Sequence, residues 1–281
     1  MTKHEFYILN DLYNGRQGRG GCTSDIDRTR ALDDQAAINA LTDAGLIARD
    51  TGALTGAGFA ALEPYRVDNA VILAAGASTR FIPLSLEQPK GLFEVKGEKL
   101  IERQIQQLKA AGIDDITVVL GYKKEMFFYL KEKYGVKFVI NDAFNIKNNI
   151  ESLYLARSEL KNTYVCVSDS YFVENPFNRF EYQTFYAGLS VSEAVNELYV
   201  DTDSDGKIHP DGRKAGTRGM CCWGHSFWRK GILRRLYRPC RSRPGGRPLS
   251  RLLLGVAGEG LPCPAATHVL QGIHPRHDLR V

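Results

Sequence analysis

Apolar residues recur at helical spacing along the first stretch of the chain. Phe6, Leu9, Leu12 and Tyr13 fall on one stripe, and Ala36, Ile38, Leu41 and Leu46 on a second, with Gly45 where a helix would end. The run LIARDTGALTGAGFAAL then predicts a short strand, a turn at Asp50-Thr51-Gly52, a second short strand and a closing helix. From Val67 the pattern changes. Ala70 to Ala74 (AVILA) is a continuous apolar run, as expected of a parallel strand buried on both faces. Ile101, Ile105, Leu108 and Ala111 mark one face of a helix that Gly112 ends. ITVVLGY from Ile116, VKFVI from Val136 and TYVCVSD from Thr163 give further strands, separated by helical patterns over Lys123 to Lys133 and Asn149 to Leu160.

This βαβ rhythm predicts an α/β fold: a doubly wound, mostly parallel (mixed) sheet with crossover helices on both sides. Ligands of such sheets bind beyond the carboxyl ends of the strands. The expected organisation is a small domain over 1–66, an α/β domain over 67–228 and an atypical tail over 229–281.

The opening segment resembles a winged helix-turn-helix domain, with the helix ending near Ala44 as recognition helix and Ile47 to Thr55 as the wing. Such a module makes DNA a candidate partner of residues 1–66. The stretch NGRQGRGG, Asn14 to Gly21, departs from that pattern, because its glycines disfavour helix. Its arginines read either as phosphate contacts or as part of a flexible loop, and the module as a DNA reader or as a vestigial or regulatory unit.

Composition narrows the picture only slightly. A hydrophobic fraction of 43% and a charged fraction of 25% suit an ordinary globular protein. The net charge of +5 owes much to the arginine-rich tail and so says little about partners. The six cysteines (Cys22, Cys166, Cys221, Cys222, Cys240 and Cys263) show no CxxC spacing, and the polar Thr2-Lys3-His4-Glu5 after Met1 is unlike a signal peptide. A cytoplasmic protein with reduced thiols is expected. No apolar run approaches the ~20 residues of a membrane span.

The chemistry gathers where the first buried strand ends. In LAAGASTRF, Leu73 to Phe81, small residues at Ala74, Ala75, Gly76 and Ala77 let the backbone approach a bound group and present amides to it. Arg80 adds a cation, and Lys90, on a segment stiffened by Pro89, adds another. LAAGASTRF followed by PKGLFEVKGEKLIERQIQQLKAAGIDDITVVLGY resembles the nucleotidyltransferase family of sugar-nucleotide pyrophosphorylases, whose pattern reads LAAGxGxRxxP, then PKxLxxVxGxxLIexxixxLxxAGI. Ser78 stands where many relatives have glycine.

The resemblance implies transfer of a nucleotidyl group from a nucleoside triphosphate to a phosphorylated small molecule, with release of pyrophosphate. Arg80, Lys90 and a divalent cation would neutralise the anionic oxygens that this brings together. It assigns the nucleotide to Leu73, Ala74, Ala75, Gly76, Ala77, Ser78, Thr79, Arg80, Lys90 and Asn149. It makes Asp169, after the strand Thr163 to Val167, the ligand of Mg²⁺, which prefers oxygen donors and bridges phosphates.

NDAFNIKNNIESLYLARSEL and NTYVCVSDSYFVENPF resemble the bacterial CTP:phosphocholine cytidylyltransferases more than the hexose-phosphate branches. That implies CTP and phosphocholine as substrates. A quaternary ammonium calls for aromatic rings, for which Tyr171, Tyr186 and Trp223 are candidates. A sugar-1-phosphate transferase using UTP or dTTP, and a metabolite-sensing DNA-binding regulator with a degenerate transferase domain, are the alternatives.

Other chemistry-bearing clusters read as structure. His268, His274 and His277 lack zinc spacing, and DTDSDG at Asp201 to Gly206 fits a hairpin turn better than a calcium loop. The family continues past MCCWGHSFW with an acidic helix and a Glu-x-Asp pair that supplies further metal ligands. Here Glu259 and Asp278 are the only acidic residues beyond Arg229. A tail translated out of frame is the expected cause, and it would leave Asp169 without its partner carboxylates and activity in doubt.

Overall fold

The computed structural model describes residues 1–16, 35–145, 149–191, 199–202, 208–209, 219–230 and 269–270. The chain divides into two compact units, Met1–Val67 with Asn175–Gln183, and Asp68–Glu174 with Thr184–Val281. NGRQGRGG beyond Arg16 and the three tail histidines lie outside the described residues.

In the first unit, helix α1 (Lys3–Arg16) buries Phe6, Ile8 and Leu9, a wider apolar face than the predicted stripe. Helix α2 (Gln35–Asp43) buries Leu41 and stops where Gly45 turns left-handed at φ +73°. A tight hairpin follows: Ile47 bridges Leu54, and the Ala48 amide donates to the Ala53 carbonyl. Thr55 then caps helix α3 (Gly56–Leu62), its hydroxyl oxygen accepting from the Gly58 amide at 3.1 Å. This order of helices and hairpin does not by itself show a winged-helix domain.

The core of this unit is finished from a distant part of the chain. Phe180 lies buried among Phe6, Leu9, Leu41, Ile47, Leu54 and Leu62. Its ring meets Tyr13 edge-on at 5.0 Å, while Tyr182 stacks on Tyr65 at 5.4 Å. Backbone pairing fixes the segment: Arg66 bridges Phe180, the Val67 amide donates to the Arg179 carbonyl and the Glu181 amide to that of Tyr65.

The second unit carries the expected doubly wound mixed sheet. Strands β1 (Asn69–Ala74), β2 (Ile116–Leu120), β3 (Lys137–Ile140) and β4 (Thr163–Val167) are parallel, in the order β4-β1-β2-β3. Beside β4, antiparallel strands β6 (Phe185–Val191), β7 (Tyr199–Thr202), β8 (Ile208–His209) and β9 (Gly219–Trp228) complete eight strands. β7 and β8 pair across the DTDSDG stretch, as its reading as a hairpin requires. β5 (Tyr171–Phe172) pairs separately with β10 (Val269–Leu270).

The central strands are buried on both faces because their residues are apolar on both. Helix α4 (Leu100–Ala110) lays Leu100, Ile101, Ile105 and Leu108 on the core and ends before Gly112, which is left-handed. The pattern over Lys123 to Lys133 gives a 3₁₀ turn, Lys124–Phe127, and then helix α5 (Tyr129–Tyr134). Lys123 is itself left-handed at φ +47°, so a regular helix cannot include it. Helix α6 covers Asn149–Leu155 and is followed by a 3₁₀ turn, Arg157–Glu159. No helix among the described residues is long and apolar enough to cross a membrane.

α4 and α5 are tied together through Glu102. Its carboxylate accepts from the Tyr129 hydroxyl at 2.7 Å, the Tyr134 hydroxyl at 2.8 Å and the Lys133 ammonium at 2.6 Å. Burial opposes ionisation, but hydrogen bonds from Lys133, Tyr129 and Tyr134 outweigh it and hold the carboxyl below its ordinary range.

Two predictions follow from this packing. Phe180→Ala should destabilise the first unit by about 3–5 kcal/mol, seen as faster amide exchange in α1 and α3 while β1 and β2 stay protected. A carboxyl with a lowered folded pKa stabilises the protein above the ordinary carboxylate range and loses that contribution as pH falls through it. The gap in thermal midpoint between wild type and Glu102→Gln should therefore be widest near neutrality and narrow on acidification.

Candidate functional site

The order β4-β1-β2-β3 places a topological switch point at the carboxyl end of β1. The chain steps outward from β1 to β2 and β3, then returns to the opposite side of β1 to form β4. Connections that leave in opposite directions open a crevice there. Leu73 of β1 is in register with Val167 of β4, so the loops after the two strands begin at the same level. The Ser168 amide extends this ladder by donating to the Leu73 carbonyl at 3.2 Å.

The loop after β1 is built for close approach. Leu73, Ala74 and Ala75 are buried, whereas Gly76 is exposed and Ala77 half-buried. A side chain on Gly121, at the end of β2, would collide with Ala75, whose carbonyl would lie 2.8 Å from its β-carbon. The Tyr122 amide donates to that same carbonyl at 3.0 Å. Ser78 is left-handed at φ +54°, ψ +40°. That conformation explains why glycine serves at this position in the family pattern, since glycine adopts it without strain. A 3₁₀ turn, Thr79–Phe81, follows and carries Arg80, whose side chain lies outside the description.

Lys90 opens another 3₁₀ turn, Lys90–Leu92, directly after Pro89. Its ammonium donates to Oδ2 of Asp169 at 2.8 Å and lies 4.1 Å from the centroid of the Phe81 ring. The neighbouring Gly91 eases the close approach of this turn to the Asp169 loop, because a β-carbon there would stand 3.0 Å from that of Ser168. Three segments distant in sequence thus converge: the turn holding Phe81, the turn holding Lys90 and the loop holding Asp169. The Lys90 and Asp169 side chains are 23% and 37% exposed, so the pair remains open to a ligand.

Other expected residues take varied places. Asn149 begins α6, with its side chain outside the description. Tyr171 is buried with Phe81, Phe93 and Leu100, and the Arg103 guanidinium sits 4.7 Å from its ring centroid. Tyr186 on β6 stands opposite Ser226 of β9, and Trp223 falls in the irregular stretch of β9 between Cys222 and Ser226. The side chains of Tyr186 and Trp223 also lie outside the description.

The structure adds residues that the sequence reading does not single out. Arg103, Gln104 and Gln107 of α4 all donate to backbone carbonyls of the segment running from Val167 to Glu174. The signal was present in the pattern: Gln104 occupies the apolar stripe of Ile101, Ile105 and Leu108, where a polar residue calls for buried partners.

Among the described residues no group of three or more His, Cys, Asp or Glu side chains could hold a metal. Asp169 is instead a single carboxylate at the open end of a strand, suited to an ion that completes its shell with water and phosphate oxygens.

Comparison with known proteins agrees with this geometry. Residues 70–179 match the family described as the MobA-like NTP transferase domain. The chain is 42% identical over 159 residues to the choline-phosphate cytidylyltransferase of Streptococcus pneumoniae, covering 57% of this chain and 69% of that protein. It is 37% identical over 174 residues to the 2-aminoethylphosphonate cytidylyltransferase of Lancefieldella rimae, covering 60% of this chain and 70% of that one. The solved CTP:phosphocholine cytidylyltransferase of Streptococcus pneumoniae matches with a TM-score of 0.58 and 40% identity, over 61% of this chain and 74% of that chain. With a sheet, a strand-end crevice and relatives that agree, the chain belongs to the nucleotidyltransferase family of the bacterial choline-phosphate cytidylyltransferases.

Proposed function

We propose that this enzyme transfers CMP from CTP to phosphocholine and releases pyrophosphate. The observation that carries the reading is the Lys90–Asp169 pair at the mouth of the β1–β4 crevice, in a chain 42% identical to a choline-phosphate cytidylyltransferase. A second relative acts on 2-aminoethylphosphonate, which, like phosphocholine, joins an anionic phosphorus group to a cationic nitrogen. The acceptor is therefore a small zwitterion that carries an anionic phosphoryl group and a cationic nitrogen.

In the reaction an oxygen of the acceptor phosphate bonds to the α-phosphorus of CTP. The bond from that phosphorus to the oxygen bridging to the β-phosphorus breaks, and pyrophosphate leaves with that electron pair. Attack of one anion on another needs positive charge held ready. The backbone of Ala74 to Thr79 takes the nucleotide phosphates, joined by the Arg80 guanidinium, and Asn149 lies on the nucleotide side. Lys90 donates to phosphate oxygens once the triphosphate competes with Asp169 for its ammonium. Asp169 would hold Mg²⁺, which when bound supplies further neutralisation of phosphate charge.

Tyr171 backs the site as a buried wall, since Arg103 already covers its ring. Contact with the acceptor ammonium falls to Tyr186 and Trp223. Dependence on CTP fits a cytoplasmic location. DNA binding by residues 1–66 has no support among the relatives, which are described as cytidylyltransferases.

Pyrophosphate release should be measured with CTP, UTP and dTTP against phosphocholine, 2-aminoethylphosphonate and hexose phosphates. Turnover is expected with CTP and phosphocholine; turnover confined to a sugar phosphate would reject the assignment. Asp169→Asn and Lys90→Met should each lower kcat by about 10²–10³, with little change in thermal midpoint. Tyr186→Ala and Trp223→Ala should raise KM for phosphocholine and leave that for CTP nearly unchanged.

A further inference from the structure

The carboxylate of Asp169 is only as well placed as the loop that carries it. Beyond Val167 the chain leaves β4, and side chains of α4 receive its carbonyls. Gln104 uses both hydrogens of its amide nitrogen: Nε2 donates to the Val167 carbonyl at 2.9 Å and to the Ser170 carbonyl at 2.8 Å. These two carbonyls bracket Ser168 and Asp169. Arg103 and Gln107 continue the clamp downstream, with Arg103 Nε donating to the Phe172 carbonyl at 2.7 Å and Gln107 Nε2 to the same oxygen at 3.0 Å.

Gln104 is fully buried, and its Oε1 has no hydrogen-bond partner among the described residues. A buried acceptor left unpaired lowers stability. The side chain is thus suboptimal as filler for the apolar stripe it occupies. What it does provide is a rigid two-point hold on the backbone either side of one carboxylate. The helix beneath is itself anchored by Ile101, Ile105 and Leu108, so the hold is transmitted from the core.

We propose that Gln104 is a positioning residue for nucleotidyl transfer, fixing the backbone on both sides of Asp169 and thereby the place of its carboxylate. The proposal rests on the reading of Asp169 as the metal ligand. Groups hydrogen-bonded to a metal ligand change metal affinity or activity by about 10–100-fold when lost, and Gln104, which acts through the backbone on either side of Asp169, belongs at the lower end of that range.

Gln104→Met keeps the length of the side chain and removes both donors. In the metal-free protein, amide exchange of Ser168, Asp169 and Ser170 should accelerate while β1 and β2 remain protected. Mn²⁺ binding, followed by electron paramagnetic resonance, should weaken by about tenfold. kcat should fall with it, and KM for CTP should move by less than about twofold.

Unchanged loop exchange together with unchanged Mn²⁺ affinity would overturn the proposal. Asp169→Asn, measured alongside, separates the two levels. If it binds Mn²⁺ as wild type does, the metal reading of Asp169 fails. If it loses Mn²⁺ while Gln104→Met keeps both full affinity and a protected loop, only the positioning role fails. Should Gln104→Met not fold, Gln104→Glu keeps the shape and replaces the donor by an acceptor. Loss of a cooperative melt in both variants would overturn the proposal, because the side chain would then hold the fold and not the loop.

Discussion

Strand β1 is hydrogen-bonded on both sides, to β2 and to β4, and the site depends on that double registration. Leu73 opposite Val167, and Ala74 opposite Leu120, set the heights at which the flanking loops begin. A slip of one residue in either ladder would turn every side chain of the strand to the other face. Such a slip would unpair backbone amides at the ends of both ladders and disrupt side-chain packing on both buried faces. The glycine-poor but small-residue loop after β1 therefore begins from a fixed point, and Asp169 begins from the same level across the crevice.

What the sheet fixes in height, close contacts fix laterally. Gly91 admits Ser168, and Gly121 admits Ala75, each at a distance that a side chain would occupy. Two glycines thus work as absences: they let the Lys90 turn and the end of β2 reach neighbouring backbone. The Lys90–Asp169 contact is then a meeting of charges carried on closely approaching backbone. In the ligand-free protein each charge satisfies the other, so neither waits unpaired in a partly dry crevice.

Much of this was legible in the sequence. The βαβ rhythm, the strand at Ala70 to Ala74 and the helix ending at Gly112 follow from local pattern, which is what periodicity reports, whereas Lys90 and Asp169 stand out through the resemblance to the nucleotidyltransferase family. Two features were not legible, for different reasons. The Gln104 clamp depends on which carbonyls lie above one helix position, and that is tertiary geometry; only the misplaced polar residue on an apolar stripe hints at it. The contribution of Asn175–Gln183 to the first unit depends on contacts between segments remote in sequence, and nothing in NPFNRFEYQ marks it as belonging elsewhere. The helix expected over Lys123 to Lys133 is shorter than its pattern because a left-handed lysine at its start is invisible to a count of apolar spacing.

The seat taken by Phe180 also bears on how the molecule is made. A ribosome delivers the helices of the first unit before this segment, and the buried aromatic wedge of their core emerges only after β1 to β5 have been synthesised. Until then the nascent helices present an unfinished apolar surface, of the kind that chaperones shield. Completion of the first unit is thereby timed by synthesis of the four parallel strands of the second.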